Sequence, residues 1–168
     1  MSLVCVVAAE GARARFFTLE HSEVPELEGG PDLIEHESLA NPRHRAHHEK
    51  IYSDARGGRN QGPTGQAFGY DEHRDGFQEE LEGRFARTIA EQLGRISQRN
   101  GPRRVILCAE KQMLGFLRSA LNGSAGNGMR ITEVPKDLTK LPAQELHARL
   151  ADDGLMPARR SGAGGSGA

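Results

Sequence analysis

The chain has 168 residues, 36% of them hydrophobic and 27% charged, with 22 Lys and Arg set against 23 Asp and Glu for a formal net charge of −1. Such a length suits one domain, and so even a balance excludes a global field that would draw the protein to nucleic acid or anionic lipid. Two cysteines, each inside an apolar run (Leu3-Val4-Cys5-Val6-Val7 and Val105-Ile106-Leu107-Cys108), exclude a disulfide framework and read as small buried hydrophobes.

In chain order, the apolar run from Leu3 to Ala9 predicts a buried central strand. Glu10-Gly11 turns the chain. The alternation from Ala12 to Glu20 predicts a second strand in a hairpin with the first, with Phe17 and Leu19 on the same face as Arg13 and Arg15. After a turn-rich stretch at 24–31, Asp32 to Leu39 predicts a third strand. Residues 41–71 then lack apolar periodicity and predict a long loop, which in compact domains is usually functional or disordered. From Glu72 to Asn100 the period becomes helical. Phe77, Leu81, Phe85, Ile89, Leu93 and Ile96 recur at spacings of three and four on one stripe. Gly83 and Gly94 weaken this helix, and Asn100-Gly101-Pro102 ends it. A strand at 104–109, a helix at 112–121, a strand at 129–134, an extended connector at 135–141 and a helix at 142–151 follow.

The sum is a single α/β domain over residues 1–152, a mixed five-stranded sheet in the order β-β-β-α-β-α-β-α with the long loop between the third strand and the first helix. This order matches ribonuclease-H-like and ribosomal-protein-like arrangements, in which the first strand lies centrally beside the fourth. That placement would bring Cys5 and Cys108 onto neighbouring strands. Residues 153–168, rich in Gly, Ser and Arg, predict a disordered tail.

Charge is unevenly spread. Seven acids and no Lys or Arg lie from Glu20 to Glu37, whereas Arg43 to Arg59 holds five Lys or Arg, three His and two acids. Arg43, Arg45, Lys50, Arg56 and Arg59 are therefore candidate contacts to RNA phosphates. Tyr52, Phe68 and Tyr70 are few for base stacking, and a plain solvated charge run is the competing reading. His44, His47 and His48 could share a metal only on a helix, with His36 and His73 more distant. No carboxylate or cysteine stands at a recognised ligand spacing, so no metal site is assigned.

Glu10 and Glu110, following the first and fourth strands, could pair for metal-dependent phosphodiester cleavage, against a reading as plain surface acids. There is no nucleotide fingerprint, nucleophile elbow or exposed thiol in a basic setting, and no cofactor is expected. No apolar stretch approaches the ~20 residues that cross a bilayer, and no secretory signal is legible. A cytoplasmic protein without membrane insertion is expected.

Four segments fall in order within residues 2–151. They are Val6-Val7-Ala8-Ala9-Glu10-Gly11-Ala12-Arg13-Ala14-Arg15-Phe16, Glu82-Gly83-Arg84-Phe85-Ala86, Val105-Ile106-Leu107, and Val134-Pro135-Lys136-Asp137-Leu138-Thr139-Lys140-Leu141-Pro142 with Glu145-Leu146. Together they resemble the bacterial host attachment proteins, with Pro-Lys-Asp-Leu-Thr the most specific. The resemblance implies a fold related to the middle domain of eukaryotic and archaeal class-1 peptide release factors. In those, a Gly-Gly-Gln tip on a flexible loop enters the peptidyl-transferase centre. Here Gly65 and Gln66 match its last two residues, and Thr64 stands in place of the first.

The resemblance thus implies the ribosome or tRNA as partner, with Gly65 and Gln66 as candidate catalytic residues for peptidyl-tRNA ester hydrolysis. That chemistry needs donors aimed at the developing oxyanion and room for one water. Two alternatives stay open. One is a non-catalytic module in which the acidic segment and polar loop dock a protein partner and influence attachment indirectly. The other is the metal-dependent nuclease.

Overall fold

The computed structural model describes residues 4–42, 65–101, 104–124 and 129–163. Five strands, β1 (Val4–Ala9), β2 (Arg13–Glu20), β3 (Asp32–Ala40), β4 (Arg104–Cys108) and β5 (Arg130–Val134), form one mixed sheet in the spatial order β3-β2-β1-β4-β5. β1 pairs antiparallel with β2 and parallel with β4; β2–β3 is antiparallel and β4–β5 parallel. Among the described residues, four helices accompany it: α1 (Pro25–Glu28), α2 (Gly65–Asn100), α3 (Lys111–Ser124) and α4 (Ala143–Asp152).

Both faces of the sheet are covered, which is why β1 and β4 are apolar throughout rather than alternating. Val7, Ala9, Phe16 and Leu107 pack with Ile89 and Leu93 of α2 and Leu117 and Leu121 of α3. On the opposite face Val6, Ala8, Phe17, Leu19 and Ile106 pack with Leu138 of the connector and with Leu146 and Leu150 of α4. The presence of Phe17 and Leu19 beside two arginines is thereby explained: their face is a second core. Cys5 and Cys108 do sit on neighbouring strands, yet on opposite faces. Cys5 lies across from Val105 and Cys108 across from Ala8.

The element order differs from expectation by α1, inserted between β2 and β3. It is one turn long, starts on Pro25 and buries no residue, so it leaves no apolar period to read. A second difference is the start of α2. The helix begins at Gly65, and the expected loop 41–71 loses its last part to it. Once nucleated on the Leu81–Ile96 stripe, a helix propagates one hydrogen bond per residue without needing an apolar face. Phe77, expected in the core, is 46% exposed, whereas Leu81, one turn further along α2, is 5% exposed. Among the described residues, no helix is long and apolar enough to cross a membrane.

Residues 153–163 do not form the disordered tail that was expected. Met156 is buried in the α4-side core. A ring nitrogen of His147 lies 2.9 Å from the Pro157 carbonyl, and Arg159 Nε donates to Asp32 Oδ1 at 2.6 Å. Gly30 and Arg160 exchange N–H···O bonds of 2.9 and 3.0 Å in an isolated antiparallel bridge. The approach is backbone on backbone. A Cβ at Gly29 (φ +79°) would stand 2.3 Å from the Arg160 carbonyl oxygen, and one at Gly162 would stand 2.3 Å from that of Leu27. Only glycine fits both positions. Residues 164–168 lie outside the described residues.

Gly94 is the opposite case, a helix-interior glycine where an added Cβ would meet nothing within 4 Å. Gly94→Ala is expected to stabilise the protein by about 1 kcal/mol through helix propensity alone. The melting temperature should rise by roughly 2–4 °C; a thermal melt showing a lower value would contradict this.

Candidate functional site

Three features meet at one end of the sheet, outside the carboxyl ends of its parallel strands, where open α/β sheets place their ligands. The first is acidic. β1 runs into Glu10 and β4 into Glu110, and with Glu82 of α2 and Asp137 beyond β5 they line a cleft of about 160 Å³. The carboxylate pair expected from the topology therefore does converge. Among the described residues, however, no group of three or more His, Cys, Asp or Glu is placed to hold a metal ion.

The second feature is the root of the cationic segment. Asn41, 7% exposed, follows β3. Its backbone N–H donates to the Ala12 carbonyl at 2.8 Å and its Nδ2 to the Gly11 carbonyl at 3.1 Å. These bonds fix the chain to the β1–β2 turn just before residues 43–64. Arg43, Arg45, Lys50, Arg56 and Arg59 lie outside the described residues, as do His44, His47 and His48. The segment returns at Gly65. Gly65 and Gln66, expected on a loop tip, are instead the first two residues of α2, and the Gln66 side chain lies outside the described residues. At about 1.5 Å per residue, roughly 24 Å of helix separates Gly65 from Leu81, and within that stretch Gly76 to Glu80 are all exposed.

The third feature went unread in the sequence. Arg15 donates from Nε and Nη2 to the two oxygens of Glu35 at 2.8 and 2.9 Å. Its Nη1 donates to the carbonyls of Thr139 (3.0 Å) and Leu141 (2.6 Å). Arg13 Nη2 also donates to the Thr139 carbonyl, at 2.5 Å. The Arg15 guanidinium lies over the Phe17 ring, 4.9 Å from its centre. Glu35 answers electrostatically. Its carboxyl is held below the ordinary range, first by the hydrogen bond from Arg15 and then by the Arg15 and Arg13 charges, against an opposing effect of burial.

The connector itself is built to meet these arginines. Asp137 Oδ1 accepts from the Thr139 N–H at 2.9 Å and from its hydroxyl at 2.5 Å, a side-chain-closed turn. That turn drives Leu138 into the core and buries Thr139 completely. Each residue of Asp137-Leu138-Thr139 thus has a structural task. The available signal was two arginines on a strand face that also carried Phe17 and Leu19, since a charge on a buried face needs a partner.

The model of the family described as "Protein required for attachment to host cells" matches residues 5–150, most of the chain. The chain belongs to that family. No curated protein matches it as a relative. The family match spans the acidic cleft, the root of the cationic segment and the arginine-braced connector alike. All three belong to the part this host attachment protein shares with its family, whereas the docked segment 153–163 lies beyond the matched residues.

Proposed function

We propose that this host attachment protein is a ribosome- or RNA-associated accessory factor whose residues 43–64, with Gly65 and Gln66, form the contacting part. The observation that carries this reading is the outer length of α2. The cationic segment is rooted at Asn41 on a rigid sheet end and returns through α2, in which residues 76–80, just ahead of the buried Leu81, are all exposed. A basic segment held in this way can reach a phosphate-rich surface. In its boldest form the factor hydrolyses peptidyl-tRNA in the manner of the release factors, with Gln66 at the ester. A ribonuclease-H-like reading of the fold accords with this; it is supported by the central β1, antiparallel to β2 and parallel to β4.

Ribosome co-sedimentation tests the association. Intact protein is expected to pellet with ribosomes, and a variant with residues 44–62 replaced by a short Gly/Ser linker to lose about tenfold in bound fraction. If Arg43, Arg45, Lys50, Arg56 and Arg59 each meet a phosphate, log affinity should fall with log salt at a slope of about −3.5 to −4.5. Undiminished pelleting of the variant would refute the reading. The catalytic form requires, in addition, that Gln66→Ala reduce peptidyl-tRNA ester hydrolysis.

A second reading, a non-catalytic module for a protein partner, is favoured by α1 and the residue before it. Within the acidic stretch, Val24 and Leu27 are 44% and 62% exposed on a turn held in place by residues 159–162. Crosslinking that captures a non-ribosomal protein through this turn would decide for it.

A further inference from the structure

Beside the arginine brace lies an open cleft of about 490 Å³, bounded by β2, the end of β3 and the connector, with Arg13, Arg15, Glu35 and Lys140 in its lining. Its charges do not cancel. Glu35 is committed to Arg15 through two parallel hydrogen bonds. Arg13 and Lys140 remain as two positive charges without an ion pair among the described residues. Arg13 has five N–H donors and directs one to the Thr139 carbonyl; Lys140 is exposed and brings three more. Ser38 sits opposite Arg15 in the β2–β3 register and lines the same cleft with a hydroxyl.

We propose that this cleft binds a phosphate monoester. Two unmatched cations suit a dianion, whereas a carboxylate would leave one of them uncompensated. The Arg13 fork can take two phosphate oxygens, and Lys140 supplies a point charge beside it. The Arg15–Glu35 pair, held by the Thr139 and Leu141 carbonyls, is a fixed floor that does not rearrange when a ligand enters. Ala40, Leu141 and Pro142 offer apolar surface to the rest of the ester. The same dianion is carried by a free nucleotide and by the 5′ end of an RNA. The site does not depend on residues 43–64 or on Gln66, so it stands or falls separately from the ribosome reading.

Calorimetric titration of the full chain tests the proposal with four probes: AMP, adenosine, and a short RNA with either a 5′-phosphate or a 5′-hydroxyl. At least one phosphorylated probe is expected to bind more than about tenfold tighter than its dephosphorylated counterpart, and more weakly as salt rises. Lys140→Gln and Arg13→Gln should each weaken that binding by about tenfold, the loss of one charge-assisted contact. Arg13→Lys should recover part of it. Lys140 is exposed and makes no hydrogen bond among the described residues, so loss of binding in Lys140→Gln cannot be ascribed to misfolding. Preference for AMP assigns a free nucleotide as the ligand, and preference for the RNA assigns a strand end. The proposal is overturned if phosphorylated and dephosphorylated probes bind equally, if none binds at millimolar concentration, or if the Arg13→Gln, Lys140→Gln double variant binds as well as the parent.

Discussion

Arg15→Leu is expected to destabilise the protein by about 2–3 kcal/mol and to lower its melting temperature by roughly 5–10 °C. The substitution keeps the apolar stem and removes the guanidinium. Glu35 loses its bidentate partner, and the Thr139 and Leu141 carbonyls lose a charged donor. Arg13 still reaches Thr139, so the connector is weakened rather than freed. Arg15→Lys should recover less than half of the loss, because an ammonium cannot span the carboxylate and two carbonyls at once.

The effect has a pH signature of definite sign. The Glu35 carboxyl is held below its ordinary range in the folded protein, so the unfolded chain takes up the proton more readily. Its contribution is complete above the ordinary carboxyl value of about 4.3 and is lost as pH falls through the lower folded-state value. The stability gap between parent and Arg15→Leu should therefore narrow between pH 6 and pH 3.5. It should not close, because the carbonyl contacts do not titrate and the partly exposed ion pair is screened. Thermal melts at the two pH values check this, and a gap that widens on acidification would exclude the ionic part of the brace.

Both thiols are expected to react with a disulfide reagent at pH 8 at least about a thousandfold more slowly in the native protein than in denaturant. Burial pushes each from 9.0 up to about 12, with the Asp153 charge adding to the effect at Cys108. Near that value only about one molecule in ten thousand carries a thiolate at pH 8, and the thiolate is the attacking species. Both side chains are fully buried, so reagent access adds to the protection. Nor can the two cysteines join each other. They are three register positions apart on opposite faces of adjacent strands, about 10 Å along the strand direction, beyond the span of a disulfide. Because β1 and β4 form the centre of the sheet, native thiol modification should report whole-domain opening. A cysteine modified within minutes under native conditions would contradict the burial.

What the sequence made legible follows from where side chains carry the information. Val4 to Ala9 and Arg104 to Cys108 are buried on both faces, and their unbroken apolar runs say so directly. The α2 stripe from Leu81 to Ile96 is legible for the same reason. Elements held largely by backbone left no such trace. The α1 turn buries nothing, and residues 76–80 of α2 continue the helix in the open, ahead of its buried stripe. Segment 153–163 docks through glycine backbones, the bridge at Arg160, the Arg159–Asp32 pair and a lone buried Met156, too few apolar side chains to offset a Gly- and Ser-rich composition that suggested disorder. The site was half legible. Glu10 and Glu110 could be placed at one sheet end from topology, but Arg13 and Arg15 find their carbonyl partners, Thr139 and Leu141, more than a hundred residues away, where no local pattern reaches.

The pairing of Gly30 with Arg160 also bears on how the chain is completed during synthesis. β2 and β3 can zip onto β1 early, since those contacts are short in sequence. β1 nevertheless presents two apolar faces and an unpaired edge until β4 emerges. The turn at Gly29 lacks the backbone that closes it until residue 162 has been added. A nascent chain paused between β3 and β4 therefore displays a sticky three-stranded sheet, the stage at which it most needs shelter from its neighbours.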